Sequence, residues 1–423
     1  MSETQSRSNK NLFSLLTTVF LDFLSFSIVL PILAPVLLDP LRGVLPYEFA
    51  YSTRTILLGF LIAAFPIAQF FGAPILGVLS DKYGRKKILL ISIFGTAVSL
   101  ALFALGITWR NLFLLFFSRA LNGITGGNVS TAQSAIADMS DAHSKARNFG
   151  LIGMAFGLGF VLGPFVGGKL ADPRLIGWFD YATPNWFAAV LSFVNVLLIW
   201  RWFDETLKHR NQDAHIKVTA GLVHVKKAFA DKHLRIMFSV VFFSMFGFTF
   251  FTQFFQVYLI EKFDFDQAQI GELYAFIGLW IAITQGGITR ILSRRFASQE
   301  VLRISLLTLS IGLISLLLPQ QSTMLLCVVP VVSLSQGISM PNATAIVSNS
   351  VGIQDQGEIL GINQSVQSVA FAIPPIIAGF VTAIDYRLPI IFASVFVFVA
   401  WLIYINFYRH ETVRQHIATH SSQ

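Results

Sequence analysis

The eleven residues GVLSDKYGRKK, Gly77–Lys87, carry five charges of both signs and lie between two long apolar runs. The rest of the chain avoids charge. Of its 423 residues, 12% are Asp, Glu, Lys or Arg, 54% are hydrophobic, and 42 are Phe. A soluble protein of this length buries about three quarters of its unfolded-chain surface and still needs a charged shell. This composition cannot supply one. Apolar runs of about 18 or more residues recur, each long enough to cross about 30 Å of hydrocarbon as a helix. The chain reads as an all-α integral membrane protein.

Segmentation predicts twelve spans, at 12–38, 54–79, 87–108, 111–137, 146–171, 185–203, 235–260, 271–292, 301–319, 323–350, 357–383 and 388–408. Residues 12–38 are too long for the apolar core of a secretory signal. They also contain Asp22, Pro31 and Pro35 and lack a small-x-small cleavage site, so they read as the first span. The sole cysteine, Cys327, excludes an intrachain disulfide. The formal charge of +8 is dispersed over short loops, which suits membrane topology better than a nucleic-acid partner. With both termini on one face, 22 of the 30 Lys and Arg residues fall on that face, 7 on the other, and Arg119 inside a span. That bias puts the termini in the cytoplasm. The longest internal connection then divides the chain into a six-helix half, 1–203, a polar cytoplasmic linker, 204–234, and a second six-helix half with a short tail, 235–423. This layout suits a transporter of repeated halves, with a twelve-span channel or membrane enzyme as the alternative.

The opening stretch thus becomes the cytoplasmic turn between spans two and three. Lys82, Arg85, Lys86 and Lys87 serve as positive-inside anchors. That role leaves three residues over. Gly77 permits close helix approach, Gly84 permits a turn with positive φ, and Asp81 needs a cation or a helix N-terminus. Arg147 and the start of span eleven near Gly357 are the partners on offer. The stretch resembles the cytoplasmic-loop signature of the major facilitator superfamily, G-x-L-[SA]-D-[RK]-x-G-[RK]-[RK]. The resemblance implies that Asp81 latches the cytoplasmic ends of the two halves, with Arg85 as its supporting cation. GGITRILSRRFASQ, residues 286–299, is a degraded copy that keeps Gly287, Arg294 and Arg295 but has no acid in the place of Asp81.

In span five, GMAFGLGFVLGPFVGG (153–168) sets Gly159, Gly163 and Gly167 four apart on one helical face. Pro164 kinks or stiffens that helix. Close packing alone accounts for such a stripe. The run also resembles the antiporter signature of the superfamily, which ends in G-P-x-x-G-G, here Gly163, Pro164, Gly167 and Gly168. In those relatives it packs against span eight. Asp138, Arg147 and Gly150 are spaced as in the drug-exporting branch, and Glu205–Leu207 end span six as Glu-Thr-Leu does there. The resemblance covers the whole chain and points to the tetracycline-efflux-like, drug:proton antiporter branch.

An ionisable residue in mid-bilayer costs several kcal/mol unless paired or wetted, which makes Asp22 and Arg119 functional candidates. Asp22 lies about 15 Å and Arg119 about 12 Å from opposite faces, at 1.5 Å rise per residue. LDFLSFSIVLPIL around Asp22 and SRALNG around Arg119 resemble the first- and fourth-span patterns of the superfamily. A carboxyl whose distance from a guanidinium changes can load and release a proton. A permanent structural ion pair is the alternative. Span three lacks the acid of tetracycline exporters, which argues against tetracycline itself, and a single carboxylate implies one proton per cycle. Glu261 and Glu272 read as solvated residues flanking the outer loop between spans seven and eight.

Span seven, SMFGFTFFTQFFQVY (244–258), is aromatic on every face. With Gln253 and Gln256, and with Asn122, Gln336, Asn342, Asn363 and Gln367 of other spans, it suggests a chamber for a moderately hydrophobic organic solute. Lipid-facing Phe and interhelical amide bonds are the alternative. No nucleotide-binding loop and no metal-ligand cluster is present, so no cofactor, metal or enzymatic activity is expected. The expected partners are a small-molecule substrate, protons and the lipid bilayer. The chain is read as a monomer of a bacterial inner membrane that exports small organic molecules against protons. A proton-coupled nutrient, amino-acid or siderophore uptake carrier and a transport-inactive sensor are the rivals.

Overall fold

The computed structural model describes residues 3–126, 128–139, 145–207, 220–230, 232–350 and 356–420, and within them every regular element is helical. Hydrocarbon offers a backbone no hydrogen bonds, so a helix that bonds itself is the natural state of such apolar segments. The elements in order are α1 (Glu3–Ile28), α2 (Leu33–Leu38), α3 (Tyr51–Tyr83), α4 (Arg85–Thr108), α5 (Leu112–Thr125), α6 (Asn128–Met139) and α7 (Lys145–Leu170). They continue with α8 (Thr183–Trp202), α9 (Ala220–Ala230), α10 (Lys232–Phe263), α11 (Gln267–Ile283), α12 (Thr289–Arg295) and α13 (Ser298–Ser315). The last are α14 (Leu325–Asn349), α15 (Gln356–Ala372), α16 (Pro374–Thr382) and α17 (Leu388–His420).

Among the described residues, nine helical segments are long and apolar enough to cross a membrane: 10–38, 51–83, 85–108, 151–170, 183–202, 234–263, 322–349, 359–382 and 388–406. The other three expected spans are helical but interrupted or short. Residues 111–137 divide into α5 and α6 at Gly126. Residues 271–292 pass through a π-helical turn, Thr284–Ile288, at the Gly286–Gly287 pair. The span at 301–319 is the 18-residue α13, which has Gln299, Glu300 and Arg303 in its first turns. A hydropathy reading cannot see such breaks, because glycine interrupts a helix without interrupting an apolar run. The bend expected at Pro374–Pro375 is present as the α15–α16 junction.

The helices gather into two compact units, Met1–Ala220 with Leu259–Leu279, and Gly221–Tyr258 with Trp280–Gln423. In the first, α1 packs on α7 and α8, α3 on α5, and α4 on α5 and α8. Its apolar core joins Leu15 and Val19 to Leu89, Ile93, Ala135, Ile136, Ile199 and Phe203. Arg54, at the start of α3, holds the incoming loop by donating to the carbonyls of Leu37, Pro46 and Phe49 at 2.8, 2.6 and 3.1 Å. In the second unit α13 packs on α14 and α17. There Ser310 and Ser394 each donate to the other's backbone carbonyl, at 3.0 and 2.8 Å.

The tightest helix contact of the first unit runs along the glycine face of α7. A Cβ at Gly159 would come within 2.9 Å of Leu24 N and Phe20 O. One at Gly163 would meet Ser27 Oγ, and one at Gly167 would meet the carbonyl of Ile28. Gly167→Leu is expected to lower stability by about 1–3 kcal/mol, since the obstructing atoms are backbone. Gly153, with no described atom within 4 Å of a built Cβ, serves as control. Thermal unfolding in detergent checks this; an equal loss in Gly153→Ala would contradict it.

Candidate functional site

The glycine face of α7 places α1, and α1 carries Asp22. Ser27, one and a half turns further along, lies with its Oγ 2.9 Å from Gly159 O, which ties the two helices at that level. Arg119 comes from α5 and is only 6% exposed. Its guanidinium lies over the Phe65 ring of α3, 5.1 Å from the centroid, and its Nε has no hydrogen-bond partner. The ion pairs among the described residues lie near helix ends, and neither Asp22 nor Arg119 belongs to one. A permanent structural pair between them is therefore not what this conformation contains. Beside Arg119 a cavity with about 10 Å³ of room for water centres is lined by Ser99, Ser118, Asn122 and Asn185 with Val29, Leu100 and Phe103.

At the α3–α4 turn the charged stretch folds around Arg85. Its buried guanidinium contacts Asp81 at 2.5 Å, Asp138 of α6 at 3.0 Å and Ser80 Oγ at 2.6 Å. Asp81 thus finds its cation one helical turn away, across Gly84. Gly84 has φ +105°, and a Cβ there would run into the Glu205 carboxylate. That carboxylate, arriving from the end of α8, accepts from Arg85 N at 2.9 Å and Lys86 N at 3.2 Å, and so caps α4 in place of the absent side chain at Gly84. Sequence reading noted Glu205 only as part of a terminal motif and missed this contact. Gly77, expected to admit a neighbouring helix, has no described atom within 4 Å of a built Cβ. The side chain of Arg147, the partner expected for Asp81, lies outside the described residues, as do residues 351–355 before α15, where Gly357 lies.

At the opposite end of α7, Pro164 and Gly168 pack on α11. A Cβ at Gly168 would be 3.1 Å from Ala268 Cα and 3.2 Å from Gly271 Cα. Polar contacts surround this approach. Lys169 pairs with Glu272 at 2.5 Å, Gln267 donates to Ala171 O at 3.0 Å, and Arg174 bridges Asp172 at 2.8 Å and Asp266 at 2.5 Å. Glu272, expected to be solvated, is half exposed and pairs with Lys169. The Arg174 fork holds the Asp172 carboxyl below its ordinary value. Burial pushes Asp39 upward, but the amides of Arg42 and Leu41, the Tyr181 hydroxyl and the charge of Arg42 outweigh it and keep that carboxyl below its ordinary value too.

The amides expected to line a chamber divide between the two units, Asn122 in the first and the others in the second. Gln336 and Gln367 line a cavity of the second unit with about 20 Å³ for water centres, beside Ser244, Met245, Ser339 and Thr344. Asn122 lines the Arg119 cavity of the first unit. Gln256 and Asn342 donate to their own helix, to Gln253 O at 3.2 Å and Ile338 O at 2.8 Å, while Gln253 and Asn363 are buried. The Phe residues of α10 line neither cavity. Phe246 meets Phe396 of α17 edge-on at 4.9 Å, Phe250 stacks on the same ring at 5.8 Å, and Gly247 lets Ala393 approach. Packing on a neighbouring helix, neither a chamber nor lipid, accounts for Phe246 and Phe250. Among the described residues no group of three or more His, Cys, Asp or Glu side chains could hold a metal.

A helical membrane protein with this turn and this glycine helix has a recognisable kinship. The family model described as Major Facilitator Superfamily matches residues 15–373 and, in a second match, 291–421. The chain belongs to the major facilitator superfamily. It is thus a multi-pass transport protein and not an enzyme. It is 28% identical over 378 residues to the class C tetracycline resistance protein of Escherichia coli, covering 89% of this chain and 90% of that one. It is 29% identical over 392 residues to multidrug resistance protein 1 of Bacillus subtilis, covering 92% and 94%. Its fold is similar to that of the human organic anion transporter MFSD10 (TETRAN), with TM-score 0.70, 23% identity and coverage of 94% and 99%. These relatives put it on the multidrug, efflux-like side of the superfamily.

Glu205→Ala is expected to lose the cap of α4, at a cost of about 1 kcal/mol. Hydrogen exchange at the amides of Arg85 and Lys86 should accelerate; unchanged exchange there would contradict the cap.

Proposed function

We propose that this protein exports small organic molecules in exchange for protons, by alternating access of two six-helix halves, 1–203 and 235–423, joined by the linker 204–234. On this reading the three interrupted segments also cross the membrane, giving twelve spans with both termini in the cytoplasm of a bacterial inner membrane. The observation that carries it is the pair of span charges in the first unit, Asp22 and Arg119, which are not bonded to one another in this conformation. A proton acceptor in a span that has no ion-pair partner can take up a proton and later yield it when a cation approaches.

The remaining parts have supporting roles. Asp81, Arg85 and Asp138, with Gly84 and Glu205 shaping the turn, form the cytoplasmic latch, to which Arg147 and the start of α15 belong by resemblance. Gly159, Gly163, Pro164, Gly167 and Gly168 form the antiporter helix, packed here on α1 and α11. Gln336 and Gln367, with Asn122, are the amides placed to meet cargo. Resistance to tetracycline and to multiple drugs, in the names of two sequence relatives, favours export of organic solutes. A proton crossing 100 mV supplies about 2.3 kcal/mol, and each pH unit about 1.4 more. Together they sustain a gradient of several hundredfold for a neutral cargo at one proton per cycle.

In everted vesicles, an inside-acid gradient should drive accumulation of substrate, and Asp22→Asn should abolish that dependence while leaving the protein folded. Proton-driven uptake into whole cells with no accumulation in everted vesicles would make the protein an importer. Full proton dependence in Asp22→Asn would remove the exchange site.

A further inference from the structure

Arg119 is buried, its Nε has no hydrogen-bond partner, and no ion pair among the described residues includes it. What its charge does meet is the face of Phe65, 5.1 Å from guanidinium carbon to ring centroid. Such a face attracts a cation more strongly where water is excluded. The Phe65 ring also lies 5.1 Å from the ring of Phe26, tilted at 42°. Phe26 follows Asp22 by four residues on α1, so the two share a helix face one turn apart. The contacts therefore run from the Asp22 face of α1 through Phe26 and Phe65 to Arg119. Packing fixes the helices at this level. A Cβ at Gly123, one turn beyond Arg119, would strike the Phe65 carbonyl, and Gln69, one turn beyond Phe65, donates to Gly126 O at 3.0 Å. The other helices packed on α1 are α6, α7 and α8, and their charges, Asp138, Lys145, Arg147, Lys169 and Arg201, all fall in first or last turns. The same holds on α3 for Arg54, Asp81 and Lys82, which leaves Arg119 as the mid-helix cation of this group.

We infer that Phe65 is the positioning residue of the exchange pair: its ring face holds the Arg119 guanidinium off Asp22 while that carboxyl carries its proton. The inference rests on the proton-exchange reading above and names the part that regulates it. Two arrangements compete for the guanidinium. In one, Asp22 is neutral and the cation rests on the ring. In the other, Asp22 has lost its proton and the cation turns to the carboxylate, which a nearby positive charge favours. The ring's attraction belongs to the first arrangement alone. Weakening it therefore favours loss of the proton, and strengthening it favours retention. Phe26 fills the space between the Asp22 face and Phe65 without facing a cation of its own among the described residues.

The test keeps the shape of the ring and changes its electrostatics. Full-length protein is prepared with Phe65 replaced by its mono-, di- and trifluorinated analogues, which withdraw negative charge from the ring face in steps. The Asp22 carboxyl band, isolated by infrared difference against Asp22→Asn, is titrated in detergent. Its midpoint should fall step by step, by about one pH unit over the series, a tenfold loss of proton affinity. The same series at Phe26 is the control and should move the midpoint little. A midpoint indifferent to fluorination of Phe65 overturns the inference. So does an equal shift from Phe26, which would mark a direct effect of ring on carboxyl. Phe65→Leu should lower the midpoint at least as far; should it fail to fold, the fluorinated series decides alone. A ring that served packing only would change thermal stability without ordering the midpoints by fluorine number. Failure of the exchange reading itself shows elsewhere, as export in vesicles that ignores the proton gradient.

Discussion

A guanidinium buried in α5 with no carboxylate partner among the described residues is the constraint on which the first unit depends. In hydrocarbon such a charge costs several kcal/mol, and the surroundings of Arg119 are arranged to lower that cost. The Phe65 ring offers its negative face, and four hydroxyl and amide side chains border the space beside it. The near approach of α3 and α5 that brings ring and guanidinium together depends on small residues. A Cβ at Gly123 would come within 2.6 Å of Ala68 Cβ, and one at Gly72 within 2.6 Å of Ile124 Cα. The same device seats α1 on α7, and so fixes the backbone that carries Asp22. Glycine is used here to bring helices close enough for polar side chains to matter.

At the helix ends charge is treated differently. There water is near, and each charge is given several partners. Arg85 meets two carboxylates and a hydroxyl, Glu205 spans two α4 amides, and Arg174 forks between two aspartates. Pairs of this kind contribute modestly to stability and are readily exchanged for others, which suits segments that must separate and rejoin. The contrast between Asp22 and Arg119, which have no ion pair among the described residues, and the multiply paired charges at helix ends fits the exchange reading proposed above.

Much of this was legible in the chain. Apolar length located the nine candidate spans found among the described residues, and the resemblance supplied Arg85 as the supporting cation that Asp81 contacts. The glycine spacing of α7 matches a close helix contact, in which Gly159, Gly163 and Gly167 meet α1 while Phe160, Val161, Pro164 and Gly168 turn to α11. Other features could not be read. The cap at α4 joins residues 120 apart in sequence, and no local pattern marks Glu205 as its source. Phe246 and Phe250 could have faced a chamber, lipid or another helix; only the partners Phe392 and Phe396, more than a hundred residues on, decide. At Gly77 no described atom lies within 4 Å of a built Cβ, and a small residue permits a contact without requiring one.

The central claim is that the protonation of Asp22 responds to the conformation of the carrier. Infrared difference spectra of the protein against Asp22→Asn isolate the Asp22 carboxyl band across a pH titration. They should be recorded in the free carrier and in one locked at the outer end by a Lys169→Cys/Glu272→Cys crosslink, in a Cys327→Ser background. The account predicts that the band titrates at different pH in the two forms. Superimposable titrations would contradict it.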